Sequence, residues 1–306
     1  MIIRRIELSD FRNYGQQIIM TEPGVNVFYG DNAQGKTSVL EAVYLCACAR
    51  SHRTARDSEI IRNQANQYRV LIEFIAKNGS EETIEIEYLD SVAGDPQRTR
   101  SQRIVRHNGI KLDRIADLMG LFHAVIFAPE DLMLVKEGPS ARRRYLDLLI
   151  SQIRPSYFSD LQNYSRFLMQ RNRLLKNIRD LEFQEKRKPD DQIMMQLDVW
   201  DQMLSDKAAS IIEQRIKFVK RIAEIAGQSQ LLLSSGKEKL YVKYRTVSGI
   251  KPEMSKSDIY IILYDKLKSM ICEDIDRGTT GSGPHRDDLE LSLDGASVKT
   301  FASRSE

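Results

Sequence analysis

At 306 residues, with 42% hydrophobic and 29% charged side chains, the chain has the composition of a globular protein of one or two domains. A net charge of +3 is too small to argue for a nucleic-acid partner by itself, so any such case rests on local clusters. Cys46, Cys48 and Cys272 form neither a C-x-x-C pair nor a disulfide framework, the N-terminus from Met1 to Glu7 lacks the apolar core of a signal peptide, and no apolar run approaches a membrane span, which predicts a cytoplasmic protein.

Ile2 to Leu8 and Gln17 to Met20 read as strands, and Gly24 to Tyr29 alternates like a third. Gly30 to Thr37 then reads G-D-N-A-Q-G-K-T, which fits the phosphate-binding pattern G-x-x-x-x-G-K-[ST] at every fixed position. Thr37 to Ala49 follows as an apolar helix, so the motif sits in the strand–loop–helix context it requires. Glycines at Gly30 and Gly35 let the backbone curl so that successive N–H groups face phosphate oxygens, and the helix N-terminus adds partial positive charge. The predicted nucleotide-binding residues are therefore Gly30, Asp31, Asn32, Ala33, Gln34, Gly35, Lys36 and Thr37, with ATP as the ligand. Lys36 would reach the β- and γ-phosphates as the catalytic cation, and the Thr37 hydroxyl would be one ligand of Mg²⁺. A glycine-containing turn that happens to precede a helix is the plain alternative, and the flanking elements weigh against it.

Further on, Tyr68 to Lys77 and Glu82 to Leu89 alternate around Asn78-Gly79, a hairpin signal, and Ile104 to Leu112 repeats the pattern around Asn108-Gly109. Ser91 to Ser101 is a polar loop. From Ile115 the period lengthens to that of a helix. Leu161, Tyr164, Leu168, Leu175 and Ile178 share one face. After a break at Arg187 to Asp191, a second stripe runs through Ile193, Leu197, Trp200, Leu204, Ala208, Ile211, Phe218 and Ile222. Lys239 to Val247 alternates again, Ser257 to Ile275 is helical, and Leu289 to Leu293 returns to strand character. The prediction is an α/β lobe over 1–114 carrying the phosphate loop, an inserted helical hairpin arm over 115–235, and a return to the lobe over 236–306.

A phosphate loop needs a partner carboxylate for its metal, usually after a hydrophobic strand. Val125-Ile126-Phe127-Ala128 leads into Pro129-Glu130-Asp131, but Pro129 suits a helix start with acids in its first turn better. Glu130 and Asp131 stay as candidates, and a standard Walker B segment is missing. His285-Arg286-Asp287-Asp288 imitates a kinase catalytic loop, yet Ser292 stands where that loop needs Asn. Basic clusters at Arg50, Arg53 and Arg56, at Arg142-Arg143-Arg144, and at Arg166, Arg171, Arg173, Lys176 and Arg179 are candidate phosphate-backbone contacts. The plain alternative for the last is a helix face pairing with acids such as Asp198, Asp201 and Asp206.

Taken together, these segments resemble the RecF family of bacterial recombination mediators, ATPases with an ABC-type head related to SMC proteins. The resemblance is carried by Leu8-Ser9-Asp10-Phe11-Arg12-Asn13-Tyr14, by Gly30 to Glu41 with Arg50-Ser51-His52-Arg53-Thr54, and by the block from Phe127 to Asp147. Gln170-Arg171-Asn172 and Gly283-Pro284-His285-Arg286-Asp287-Asp288-Leu289 complete it. It implies a mixed sheet with antiparallel strands in an ATPase head, and a homodimer that sandwiches ATP and holds double-stranded or gapped DNA. It also implies partner mediator proteins that help a recombinase load. DNA contacts would fall to Arg50, Arg53, Arg142 and Arg143, and Pro129-Glu130-Asp131 would lie at the γ-phosphate-sensing loop.

After Lys299-Thr300-Phe301-Ala302-Ser303 the family continues into its signature and Walker B, whereas here Arg304-Ser305-Glu306 follows. The resemblance thus implies a C-terminally shortened chain with negligible turnover. Two other readings stand beside it. One is a small-molecule P-loop kinase using Glu130 or Asp131, against which the long helical arm argues. The other is a non-catalytic interaction fragment.

Overall fold

The structure, a computed structural model, describes residues 1–91, 100–128, 133–183, 186 and 189–298. They divide into two compact units, Met1–Phe127 with Ser151–Pro155, and Ala128–Ile150 with the residues from Ser156 onward.

The first unit contains β1 (Ile2–Phe11), β2 (Tyr14–Met20), α1 (Lys36–Cys48), β3 (Gln67–Ile75), β4 (Glu81–Leu89), β5 (Gln102–His107) and β6 (Ile110–Lys111). The strands form one antiparallel sheet in the order β2-β1-β3-β4-β5-β6. Period-two alternation sorts its faces. Register pairs Leu8 with Val70, Ile6 with Ile72, Val70 with Ile86 and Ile72 with Ile84, so these side chains share one buried face. Val39, Ala42, Leu45 and Cys46 of α1 are buried with them, each large aliphatic contributing about 1.5–3 kcal/mol. The other face carries a cross-strand ion ladder in which Arg69 bridges Glu7 and Glu85, and Arg106 bridges Glu85 and Glu87.

Both expected hairpins form, with different turns. Asn108 and Gly109 take φ of 50° and 77°, a two-residue turn that pairs His107 with Ile110. At Asn78-Gly79 the loop is longer: the Gly79 amide bonds the Ala76 carbonyl at 3.0 Å, and Gly79 alone is left-handed. The expected strand at Gly24–Tyr29 does not form. The segment pairs with no strand among the described residues, and alternation without a hydrogen-bonding neighbour does not make a strand.

The second unit carries α2 (Met133–Lys136), most of α3 (Pro139–Ile153) and of α4 (Pro155–Phe183), then α5 (Asp191–Leu233), β7 (Leu240–Arg245), α6 (Lys256–Ser269), α7 (Ile271–Arg277), β8 (Asp288–Leu293) and β9 (Ala296–Ser297). The helical hairpin is α4 and α5. Asp190 starts α5 by accepting the Ile193 amide at 2.8 Å. Tyr164 and Phe167 of α4, Leu204, Ala208 and Ile211 of α5, and Ile259 and Leu263 of α6 make one core. Leu175, Ile178, Leu197 and Ile275 make a second. The strands β7, β8 and β9 form a separate antiparallel sheet, and β7 lies against α5. Contacts therefore group the stretch from 240 with the helices, where the sequence reading had returned 236–306 to the phosphate-loop lobe. Among the described residues no helix is long and apolar enough to cross a membrane.

Candidate nucleotide site

The loop from Gly30 to Gly35 is built on left-handed backbone: φ is 141° at Gly30, 67° at Ala33 and 96° at Gly35. Gly35 caps α1, and a Cβ there would lie 2.8 Å from the Tyr14 ring, so glycine is required by both conformation and space. The Ser38 and Val39 amides close onto the Gly35 carbonyl at 2.8 and 3.2 Å. No side chain caps the helix and no acid lies in its first turn, which leaves its positive end to an external anion. Lys36 Nζ donates to the carbonyls of Gly30 and Asp31, both at 2.7 Å. An ammonium has three donors, so two hold the loop curled and one remains for a phosphate oxygen. Asp31, Asn32, Ala33, Gln34 and Thr37 are exposed, with the Thr37 hydroxyl at the first turn where a phosphate-bound Mg²⁺ would take it as a ligand. The residues present fit a nucleotide's phosphates.

The turn between β1 and β2 completes the site. Asn13 Nδ2 donates to the Ala33 carbonyl at 2.7 Å, and the Tyr14 ring lies over Gly35. Arg12 takes a left-handed φ of 53° and its guanidinium grips Glu41 through Nε at 3.0 Å and Nη2 at 2.7 Å. Glu41 is fully buried on α1 and also accepts from Ser51 Oγ and from Arg53 at 3.4 Å. Burial pushes its pKa up, but the Arg12 and Ser51 hydrogen bonds and the two guanidinium charges outweigh this and hold it below the usual carboxylate value. Sequence reasoning placed Arg12, Asn13, Glu41 and Ser51 in family blocks without giving them roles. The available signal was Glu41 itself, a lone carboxylate inside the apolar helix from Val39 to Cys48.

The other candidates separate clearly. Glu130 and Asp131 lie outside the described residues, as does the Ala302-Ser303 segment. Arg50 and Arg53 are exposed, with Arg53 shared between Glu41 and solvent. Arg142 is buried. Its guanidinium binds Asp288 at 2.7 and 2.9 Å and the carbonyls of Leu134 and Glu137, so this candidate DNA contact lies in a buried ion pair. Arg143 donates to the Asp287 carbonyl at 2.7 Å. In the helical hairpin Arg171 is fully buried against Asp201 at 2.6 Å and Asp274 at 2.7 Å, whereas Arg166, Arg173 and Lys176 are exposed. The His285 segment is a brace: Tyr164 Oη donates to His285 Nδ1 at 2.6 Å, and His285 Nε2 donates to the Thr280 carbonyl at 3.1 Å. Burial pushes the His285 pKa down to about 4. Among the described residues no group of three His, Cys, Asp or Glu could hold a metal.

Two exposed stretches flank the site. Val25, Val27 and Tyr29 are 91%, 74% and 91% exposed, and Val125 and Phe127 are 78% and 86% exposed. A groove of about 390 Å³, lined by Ile3, Ile6, Phe28, Val39, Val43 and Ile126, lies against them.

A family profile described as an AAA domain matches residues 5–267. The chain is 39% identical over all 306 residues to the DNA replication and repair protein RecF of Acetivibrio thermocellus, covering 78% of that protein. It is 36% identical over the same span to the DNA replication and repair protein RecF of Ruminiclostridium cellulolyticum, covering 77%. A solved structure of the recombination mediator protein RecF-ATP in the RecFOR pathway superposes with a TM-score of 0.86 at 32% identity, over 99% of this chain and 76% of that one. A RecF-ATPrS structure from the same pathway superposes with a TM-score of 0.84.

Proposed function

The chain belongs to the RecF family of DNA replication and repair proteins, with the family's mixed α/β ATPase head, and on that premise we propose that it is an ATP-dependent DNA-binding protein of recombinational repair. It acts in the cytoplasm at gapped DNA, together with mediator proteins, to help load a recombinase. It works as an ATP-dependent homodimer with slow hydrolysis.

The observation that carries the reading is the curled loop of Gly30 to Gly35. Lys36 is pinned on its first carbonyls and an uncapped helix end opens to solvent beside Thr37. Bound Mg²⁺-ATP supplies the charge and the phosphate contacts that a second protomer would read across the dimer. Lys36, Thr37 and the loop amides hold and orient it from this chain. The chain covers 78% and 77% of the length of the two RecF relatives named above. Arg50 and Arg53 beside the site, and Arg166, Arg173 and Lys176 on α4, are the cations proposed for the DNA backbone.

Titration with a fluorescent ATP analogue and Mg²⁺ tests the reading. Lys36→Ala should weaken binding at least tenfold, and ATP should strengthen the anisotropy change on a gapped duplex over an intact one. Equal binding of nucleotide by the wild type and Lys36→Ala would contradict it.

A further inference from the structure

Arg12, Glu41 and Arg53 form one ion cluster beside the phosphate loop, and Glu41 is the most buried carboxylate among the described residues of the first unit. Glu41 lies five residues after Lys36 on the same helix, fully buried. A buried carboxylate is costly unless its oxygens are matched, and here both are. Arg12 binds both oxygens at 2.7 and 3.0 Å, Ser51 adds a hydroxyl, and Arg53 adds a more distant guanidinium at 3.4 Å. Ser51 Oγ in turn accepts the amides of Arg53 and Thr54 at 3.0 and 3.2 Å, so the segment after α1 is fastened to the same point.

What Glu41 holds in place is the β1–β2 turn. Arg12 sits in a left-handed conformation that arginine rarely adopts, and the bidentate ion pair accounts for its being kept there. The next residue, Asn13, donates to the Ala33 carbonyl at 2.7 Å, and Ala33 is the non-glycine residue of the phosphate loop with positive φ, at 67°. The residue after that, Tyr14, fills the space that a side chain at Gly35 would need. Three consecutive turn residues thus act on three parts of the site: its helix, its loop carbonyl and its capping glycine. The turn is anchored behind by the Arg12 amide on the Ile60 carbonyl at 2.7 Å and by Arg12 Nη1 on the Glu59 carbonyl at 2.6 Å.

We propose that Glu41 is a positioning residue for nucleotide binding: through Arg12 it sets the β1–β2 turn, and through Asn13 the turn sets the φ at Ala33 that aims the loop amides at phosphate. The proposal rests on the reading of Gly30 to Thr37 as a nucleotide site and adds a wall to it that touches no phosphate. Its physical content is preorganisation. The loop is held in its binding shape by groups outside it, so ligand binding does not have to order it.

The test uses the 306-residue chain with inorganic pyrophosphate and a fluorescent ATP analogue as probes. Glu41→Gln keeps the side chain's size but loses the charge that holds Arg12, and Asn13→Ala removes the link to Ala33. Arg5→Ala, which breaks the pairs of Arg5 with Glu7 and Glu73 on the same β1 strand, is the control for general loss of stability. Each of Glu41→Gln and Asn13→Ala should weaken both probes at least tenfold, and the double variant should lose no more than the worse single one, since both act through one turn. Arg5→Ala should bind as the wild type does.

A ligand-free readout accompanies this. In amide NMR spectra, Glu41→Gln and Asn13→Ala should shift the same Ala33 and Gln34 resonances, which Arg5→Ala leaves in place. Wild-type affinity in Glu41→Gln, with binding lost in Lys36→Ala, overturns the positioning role and leaves the nucleotide site standing. Losses that track the unfolding midpoint across all three variants reduce Glu41 to a structural ion pair and also overturn it. Failure of the wild type to bind either probe overturns both.

Discussion

The two sides of α1 make opposite use of the same kinds of residue. On one side the β1–β2 turn, Glu41, Ser51 and Arg53 form a closed cluster in which a buried carboxylate meets two guanidiniums and a hydroxyl. On the other, the segment that leads into the phosphate loop pairs with no strand among the described residues, and Val25, Val27 and Tyr29 are exposed. The motif lies between a finished side and an open one. Its left-handed backbone is nevertheless fully formed, with Lys36 on the Gly30 and Asp31 carbonyls. On the proposed positioning role, the turn and its buried ion cluster shape the loop, and the unpaired segment entering it does not.

Substitutions on the two sides should therefore differ by an order of magnitude. The largest effect is expected from Glu41→Ala, which leaves Arg12 facing an empty, buried site. A loss of about 3–5 kcal/mol in urea unfolding is the expected range for breaking a buried pair on one side. Gly35→Ala comes next, because φ of 96° and a Tyr14 ring 2.8 Å from the new Cβ act together. About 1–3 kcal/mol is expected from the backbone alone, and repacking of Tyr14 adds to it.

Acid sharpens the contrast by a different route. Glu41 has its pKa lowered in the folded state, so the unfolded chain binds more protons as pH falls. Its contribution is present above the unfolded value near 4.5 and is lost as pH drops below it. His285 of the second unit has its pKa depressed to about 4, and its contribution is lost earlier, between pH 6.5 and about 4. Urea midpoints followed by pH should thus fall in two windows, with His285→Asn flattening the upper and Glu41→Gln the lower. The smallest effect belongs to the open side. Val27→Thr should change unfolding by less than about 0.5 kcal/mol, and light scattering should show less self-association because an apolar edge has been blunted.

Which parts were legible in the sequence follows from the range of the interactions. The phosphate loop is a local motif, and the Asn108-Gly109 turn needs only two residues that accept positive φ, so both could be read directly. The α4–α5 hairpin was legible from period and from the polar break at Arg187 to Asp191, while the capping role of Asp190 came only with the structure. Gly24–Tyr29 misled because alternation reports a propensity to be extended, while a strand also needs a neighbour to bond. The charge runs misled for a related reason. Arg142 reads as surface charge, yet its partner Asp288 lies 146 residues away. Arg171 pairs with Asp201, as the plain alternative for its run had it, and also finds Asp274 103 residues on, leaving Arg166, Arg173 and Lys176 of the same run in solvent. Glu41 was visible as an oddity, but its meaning depended on Arg12, 29 residues before it.

If the Glu41 ion cluster holds the phosphate loop, the unpaired segment at Gly24–Tyr29 does not have to. Hydrogen exchange at the Ser38 and Val39 amides, whose bonds to the Gly35 carbonyl close the loop onto α1, tests it most directly. Exchange at both should speed up at least tenfold in Glu41→Gln and stay at the wild-type rate in Val27→Thr. Unchanged exchange in Glu41→Gln, with acceleration in Val27→Thr, would contradict it.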